Sequence, residues 1–295
     1  FNPEGYLRLV QADKLEVSVA GGEANVAVSL SNYGLDAAFV SKVPTHEVGD
    51  CVIRGLRTYG IDTRYIVRGG KRLGIYYVEK GASQRPSKVI YDRAYSSIAM
   101  AKKGDFDWNT IFEGVEWFHF TGITPALSDE MAEICEIACK KAKEKNIHTC
   151  IDTSGITFNE NDAEYLSKLN DLLNYTDLIM LDIKHIISEN HKALTGWENK
   201  NVLSFAKYID SKDIDIWIRH VVVTGYTDSY DDLFKLGEFI GRLKNLKALD
   251  VLPYHTMGVN KYKELNIPYK LDGVKAVTKE DAKKARQVIL EGIKS

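Results

Sequence analysis

Long apolar runs are missing from this 295-residue chain. None approaches the roughly 20 residues that span a bilayer, and Phe1-Asn2-Pro3 opens with neither the basic nor the apolar segment of a secretory leader. A cytoplasmic protein is expected. Cysteine is scarce: Cys51, Cys135, Cys139 and Cys150 are too few and too scattered for a secreted disulfide framework, so reduced thiols are expected. Neither charge sign is in excess. A net charge of -2 excludes the general positive field that holds nucleic acid or anionic lipid, which leaves small molecules or proteins as partners. Low-complexity linkers and short internal repeats are absent, and so is an initiator methionine, from which one expects a parent protein with further residues in front. What is present is ordinary for a globular protein: 44% hydrophobic and 27% charged residues, enough for a substantial core.

The pattern along the chain alternates strands and helices. A short strand from Val17 leads through Ala20-Gly21-Gly22 to a helix over about 23–33, closed by Gly34. A strand over 38–43, a helix over 46–59 stopped by Gly60, and a strand over 65–67 follow. Residues 74–79 and 88–92 flank a polar link and predict a hairpin with a long loop, of the kind that serves as a lid. Trp117-Phe118-His119-Phe120 reads as a buried strand, and Ser128 as the cap of a helix to about Lys145. From there the rhythm is regular: strands over 148–151, 178–183, 214–223 and 248–252, each followed by a helix, make four β/α units. The last helix opens on Thr278-Lys279-Glu280-Asp281 and runs to Gly292.

In the front half, Gly21-Gly22-Glu23-Ala24-Asn25 sets two glycines and an amide at a strand-to-helix turn. Alone this suits either a tight turn or an oxygen-rich ligand held by backbone N–H groups. Its company is Gly74-Ile75-Tyr76-Tyr77-Val78-Glu79, Lys88-Val89-Ile90-Tyr91-Asp92-Arg93 and Phe118-His119-Phe120-Thr121-Gly122-Ile123-Thr124-Pro125-Ala126-Leu127. Together these segments resemble the ribokinase (PfkB) family, specifically its 2-keto-3-deoxygluconate kinases, over residues 4–146. The resemblance implies a Rossmann-like core with a β-lid and a sugar-acid pocket at Gly21, Gly22, Asn25, Tyr76, Tyr91 and Arg93. Arg93 suits a carboxylate, and tyrosines offer hydroxyls and ring faces to a sugar, although half-buried tyrosines and surface arginines are also common packing. The family's later Gly-Ala-Gly-Asp motif, whose helix N-terminus stabilises the moving phosphoryl group and whose Asp is the base, does not occur. There is no P-loop either, so ATP as a cofactor is not supported.

In the back half, polar residues stand at or near the strand ends: Asp152-Thr153, Asp182 with Lys184, and Tyr254-His255, with Arg219 mid-strand in phase with Trp217 and Val221. Active sites of β/α barrels are built at that edge. Lys184 also suits a salt bridge, and His255 a structural role. The segments His148 to Gly155, Leu178 to His185, Trp217 to Val223 and Leu252 to Gly258 resemble the pyruvate formate-lyase activating enzymes, radical S-adenosylmethionine proteins, from about residue 146 onward. That resemblance implies part of a (β/α) barrel, S-adenosylmethionine contacts at Asp152, Asp182, Lys184, Arg219 and His255, and a monovalent-cation site at Asp152, Thr153, Met180 and Asp182. The cluster motif C-x3-C-x2-C is absent. Cys135 and Cys139 have its first spacing, but Ala142 stands where the third thiol would, and both fall on an apolar helix stripe with Met131, Ile134 and Ala138, so an iron–sulfur cluster is not supported.

The expected fold is therefore α/β: a Rossmann-like ribokinase half with a β-lid (1–146) continuing into a partial (β/α) barrel half of four units (147–295). The join falls inside a βαβ unit, which predicts one continuous body in which the 148 strand enters the sheet beside the 117 strand. Three functions compete: a hybrid that keeps two binding half-sites without complete catalytic apparatus, a sugar-acid kinase, and a radical activase. No catalytic residue is assigned. Uptake of S-adenosylmethionine and a cation, or of a sugar acid, is what the resemblances imply.

Overall fold

The computed structural model describes all residues except 82–84, 86, 257, 258, 260, 261 and 263–267. The chain divides into two compact units, one built on Phe1–Ile147 and the other on His148–Asn260 with Tyr269–Ser295.

In the first unit, β1 (Asn2–Pro3) pairs antiparallel with β2 (Leu15–Glu16). The strand expected from Val17 thus ends where it was to begin. Helix α1 (Gly22–Asn32) follows, buries Ala24 and Ala27, and gives way to Gly34 at φ +82°. Strand β3 (Ser41–Val43) runs parallel to β4 (Ile66–Arg68), with α2 (Glu47–Thr58) between them in sequence. Ala38, expected as the start of that strand, makes only an isolated bridge to Asp62. These pieces close over Val43, Leu56, Ile61 and Ile66. The hairpin forms as read: β5 (Ile75–Glu79) and β6 (Lys88–Asp92) pair in register, Tyr76 opposite Tyr91. Short α3 (Trp108–Ile111) and long α4 (Asp129–Glu144) complete the unit. Ser128 caps α4, its hydroxyl accepting from the Met131 N–H at 3.2 Å.

Residues 117–120 are not a strand. No ladder runs along them, and Trp117 is 75% exposed while Phe118 and Phe120 turn inward onto an aromatic cluster with Trp108 and Phe112. The apolar alternation is real, but a strand also needs a partner for its backbone groups, and none is supplied.

The second unit is a four-stranded parallel sheet in the order β10-β9-β8-β7: β7 (Cys150–Thr153), β8 (Leu178–Asp182), β9 (Asp215–Val222) and β10 (Leu246–Pro253). Strand β7 is its edge, so the expected entry beside residue 117 does not occur, and the continuous body gives way to the two units. Helices α5 (Ala163–Leu173), α6 (Ser188–Thr195), α7 (Lys200–Asp210), α8 (Tyr230–Ile240) and α9 (Lys279–Lys294) follow the strands. Thr278 caps α9 through the Asp281 N–H at 3.1 Å, as its spacing predicts.

Alternation along the strands sorts the two sheet faces. Ile179 and Leu181, Ile216 and Ile218, and Leu249 point to one face and form a single core with Val202, Phe205 and Ile209 of α7, Leu233 and Leu236 of α8, and Ile289 of α9. Each such side chain withdrawn from water contributes about 1.5–3 kcal/mol. The opposite face carries Cys150, Asp152, Met180, Asp182, Trp217, Arg219 and Asp250, half-buried or exposed. The fold is thus mixed α/β with a parallel sheet.

Candidate functional site

On the open face of the second unit, register decides which side chains meet. Asp152 pairs with Met180 and Met180 with Trp217; one row on, Asp182 pairs with Arg219 and Arg219 with Asp250. Arg219 therefore reaches two strands at once. Its Nη2 donates to Asp152 Oδ1 at 2.8 Å and to Asp182 Oδ2 at 3.1 Å, and its Nε donates to Asp182 Oδ1 at 3.2 Å. Lys184 Nζ adds an ion pair to Asp182 Oδ2 at 3.1 Å. Burial pushes the Asp182 carboxyl up, but the Arg219 hydrogen bonds and the Lys184 charge outweigh it and hold the group below its ordinary value. Both carboxylates raise the Arg219 pKa still further, the Asp182 hydrogen bond most of all.

The structure thus unites Asp152, Asp182, Lys184 and Arg219 of the sequence-derived set. His255 lies beyond the end of β10, exposed, after the buried Tyr254, whose hydroxyl meets that of Tyr269 at 2.7 Å. Thr153 falls, by strand alternation, on the face opposite Asp152, and its hydroxyl accepts from the Gly155 N–H at 3.1 Å. Met180, half-buried, stands on β8 two residues before Asp182 and directly opposite Asp152 of β7. Among the described residues, no group of three or more His, Cys, Asp or Glu could hold a metal ion.

In the first unit, a cleft of about 470 Å³ is lined by Arg93 and Ala94 on one side and by Gly122, Ile123, Ala126 and Leu127 on the other. Strand pairing places Tyr76 beside Tyr91, their ring centres 6.2 Å apart, and the Arg93 guanidinium lies 4.1 Å over the Tyr91 ring. That stacking orients a planar donor without neutralising it.

The opposite wall is fixed by a residue to which the sequence motifs assign no role. Glu23 Oε1 accepts from Thr121 N at 3.1 Å, Thr121 Oγ1 at 2.7 Å and Thr124 Oγ1 at 2.6 Å. Burial raises its pKa, and the Thr124 and Thr121 hydrogen bonds more than reverse this, so Glu23 stays ionised. The clamp brings the Gly21-Gly22 turn against Thr121; a Cβ on Gly22 would lie 3.6 Å from Thr121 Cγ2. Asn25 is exposed one turn into α1.

The cysteines do not form a thiolate cradle. Cys135 and Cys139 lie one turn apart on α4; burial pushes the Cys135 thiol up to about 12 and raises that of Cys139 as well. Burial likewise raises Cys150. Buried thiols with raised pKa values give up their protons to a metal less readily than exposed ones.

Comparison with known proteins finds two likenesses. Residues 2–202 match the pfkB family carbohydrate kinases. The match runs past the junction near 146 to the start of α7. Among solved structures, 2-dehydro-3-deoxygluconokinase from Thermotoga maritima is 39% identical with a TM-score of 0.56, covering 72% of this chain and 65% of its own. Pyruvate formate-lyase-activating enzyme from Streptococcus mutans is 47% identical over 148 residues, 50% of this chain and 56% of that protein. Its counterpart from Staphylococcus aureus is 45% identical over 147 residues, 50% of this chain and 58% of that protein. The chain spans little more than half the length of these curated relatives. It belongs to the pfkB family of carbohydrate kinases, and half its length is in addition similar to pyruvate formate-lyase-activating enzymes.

Proposed function

We propose that this chain is a hybrid with two ligand-binding half-sites, of which the better formed takes a sugar acid such as 2-keto-3-deoxygluconate. The carrying observation is the Arg93 guanidinium, stacked on Tyr91 and forming one wall of the cleft whose other wall is the Glu23-clamped loop. A planar fork of donors recognises a carboxylate in two parallel hydrogen bonds. Tyr76 and Tyr91 supply ring faces and hydroxyls, and a volume of a few hundred Å³ suits a small acid. Phosphoryl transfer is not part of this reading, because the sequence holds no Gly-Ala-Gly-Asp motif to cradle the phosphoryl group and take the proton. Calorimetric titration with 2-keto-3-deoxygluconate tests it. Binding at micromolar to millimolar strength supports the reading, and no heat of binding overturns it. Turnover in an ATP-coupled kinase assay would replace it with an active kinase.

The second half-site is a cradle for S-adenosylmethionine. The Asp152–Arg219–Asp182–Lys184 array favours it, since it sets both charge signs on one face near the strand ends, as a ligand with amino, carboxylate and ribose groups requires. The sequential order β7-β8-β9-β10 with a helical layer on a single face is the arrangement of a barrel arc, which supports the partial (β/α) barrel reading. When bound, S-adenosylmethionine would contribute an adenosyl group and a sulfonium; Asp182, Lys184 and Arg219 would orient it. The cluster that drives radical chemistry does not fit these residues, because Ala142 stands where a third thiolate would and Cys135 is buried on α4, and no electron-transfer step is assigned. Anaerobic reconstitution with iron and sulfide tests this: absorbance near 400 nm would revive the activase. A reducing compartment such as the cytoplasm suits the four free cysteines.

A further inference from the structure

Tyr95 follows directly on Ala94, which lines the sugar-acid cleft, and has a backbone conformation that side chains avoid: φ is +56°. The Ser96 N–H donates to the Arg93 carbonyl at 3.2 Å, so Arg93–Ser96 is a four-residue turn with Tyr95 third, the position at which a positive φ normally selects glycine. A bulky aromatic there is an outlier. Burial does not compensate, because the Tyr95 side chain is 75% exposed.

Arg72 holds both flanks of the turn. Arg72 Nη1 donates to the Ala94 carbonyl at 3.3 Å and Nη2 to the Asp92 carbonyl at 3.2 Å, while the Arg72 carbonyl accepts from the Ser97 N–H at 2.8 Å and the Ser97 hydroxyl at 2.9 Å. Ser96 and Ser97 are both 1% exposed. This hydrogen-bonded frame therefore presents an exposed aromatic ring with a hydroxyl, next in sequence to the cleft-lining Ala94 and two residues after Arg93. Strain of this kind, kept where packing gains nothing, is a mark of function.

We propose that Tyr95 is a specificity-determining residue of this cleft: its ring covers the hydroxylated end of an acid whose carboxylate is held by Arg93, and its phenol hydrogen-bonds a ligand hydroxyl. The inference rests on the sugar-acid reading and names the residue that separates polyhydroxylated acids from short ones. The test compares wild type with Tyr95→Gly, Tyr95→Asn and Tyr95→Phe by calorimetric titration against 2-keto-3-deoxygluconate and pyruvate, with Tm recorded for each. Glycine and asparagine both accept a positive φ. Both should keep or raise Tm, weaken sugar-acid binding about tenfold and leave pyruvate binding unchanged; phenylalanine should leave Tm unchanged and weaken sugar-acid binding about threefold. Sugar-acid affinities equal to wild type in the glycine and asparagine variants overturn the inference while the sugar-acid reading stands, as does equal weakening for both ligands. A wild-type chain that binds neither ligand overturns the reading itself.

Discussion

Three donors converge on Glu23 Oε1 from Thr121 and Thr124, residues 98 and 101 positions away. The carboxylate thus joins the start of α1 to the far wall of the cleft. Glu23→Ala leaves these donors without a partner and should cost about 1–2 kcal/mol, the low end for a half-buried group. A urea midpoint measures the loss, and sugar-acid affinity should fall with it. Arg93→Met removes the fork but keeps the stem. It should weaken sugar-acid binding about 10- to 100-fold with Tm within a degree or two of wild type, as titration and thermal unfolding will show. A large drop in Tm would make Arg93 structural instead.

The crossing of α8 and α9 depends on two absent side chains. A Cβ on Gly237 would strike the Ile289 carbonyl oxygen and come within 2.8 Å of Gly292 Cα, and one on Gly292 would strike the Phe234 carbonyl oxygen. Gly237→Ala should therefore destabilise by about 1–3 kcal/mol or more despite alanine's better helix propensity, which a urea titration detects. The four β/α units were legible because each strand alternates aliphatic residues that bury against helices close in sequence; Ile179, Leu181, Ile216 and Ile218 announce themselves locally. Residues 117–120 carry a similar alternation, but strand formation there requires a distant partner, which no local pattern reports. The same divide runs through the sites. Arg93, Tyr91 and the Asp152–Arg219 row could be read from motifs and strand ends, whereas Glu23 looked incidental because its meaning lies about a hundred residues downstream. Hydrogen exchange should separate the two cases, with amides of 116–120 exchanging orders of magnitude faster than those of Ile179 and Ile218.

At the scale of the molecule, acid should act in two stages. Burial depresses the His185 and His220 pKa values below about 6.5, outweighing for His185 the nearby Asp232. The unfolded chain then binds more protons, so stability present above pH 6.5 is lost progressively as pH falls below it. Glu23 and Asp182, held below their ordinary values of about 4.5 and 3.8, are stabilising above those values, and that contribution fades as pH falls through the folded pKa values. Thermal unfolding at steps from pH 7.5 to 3.5 should show a shallow decline and then a steeper one; a flat profile between 7 and 5 would contradict the histidine assignment. Thiol accessibility gives a second whole-chain test: exposed Cys51 should react fastest with a disulfide reagent, Cys139 and Cys150 more slowly because their pKa values are raised, and buried Cys135 only on unfolding.

In the sheet order β10-β9-β8-β7, every strand lies beside the one nearest to it in sequence. Each pairing closes only the loop containing its own crossover helix, so contact order within the second unit is low for a parallel sheet. The sheet can grow one β/α unit at a time, each new strand using the last as its template. Its folding should be fast and stepwise, and insensitive to insertions in any single crossover.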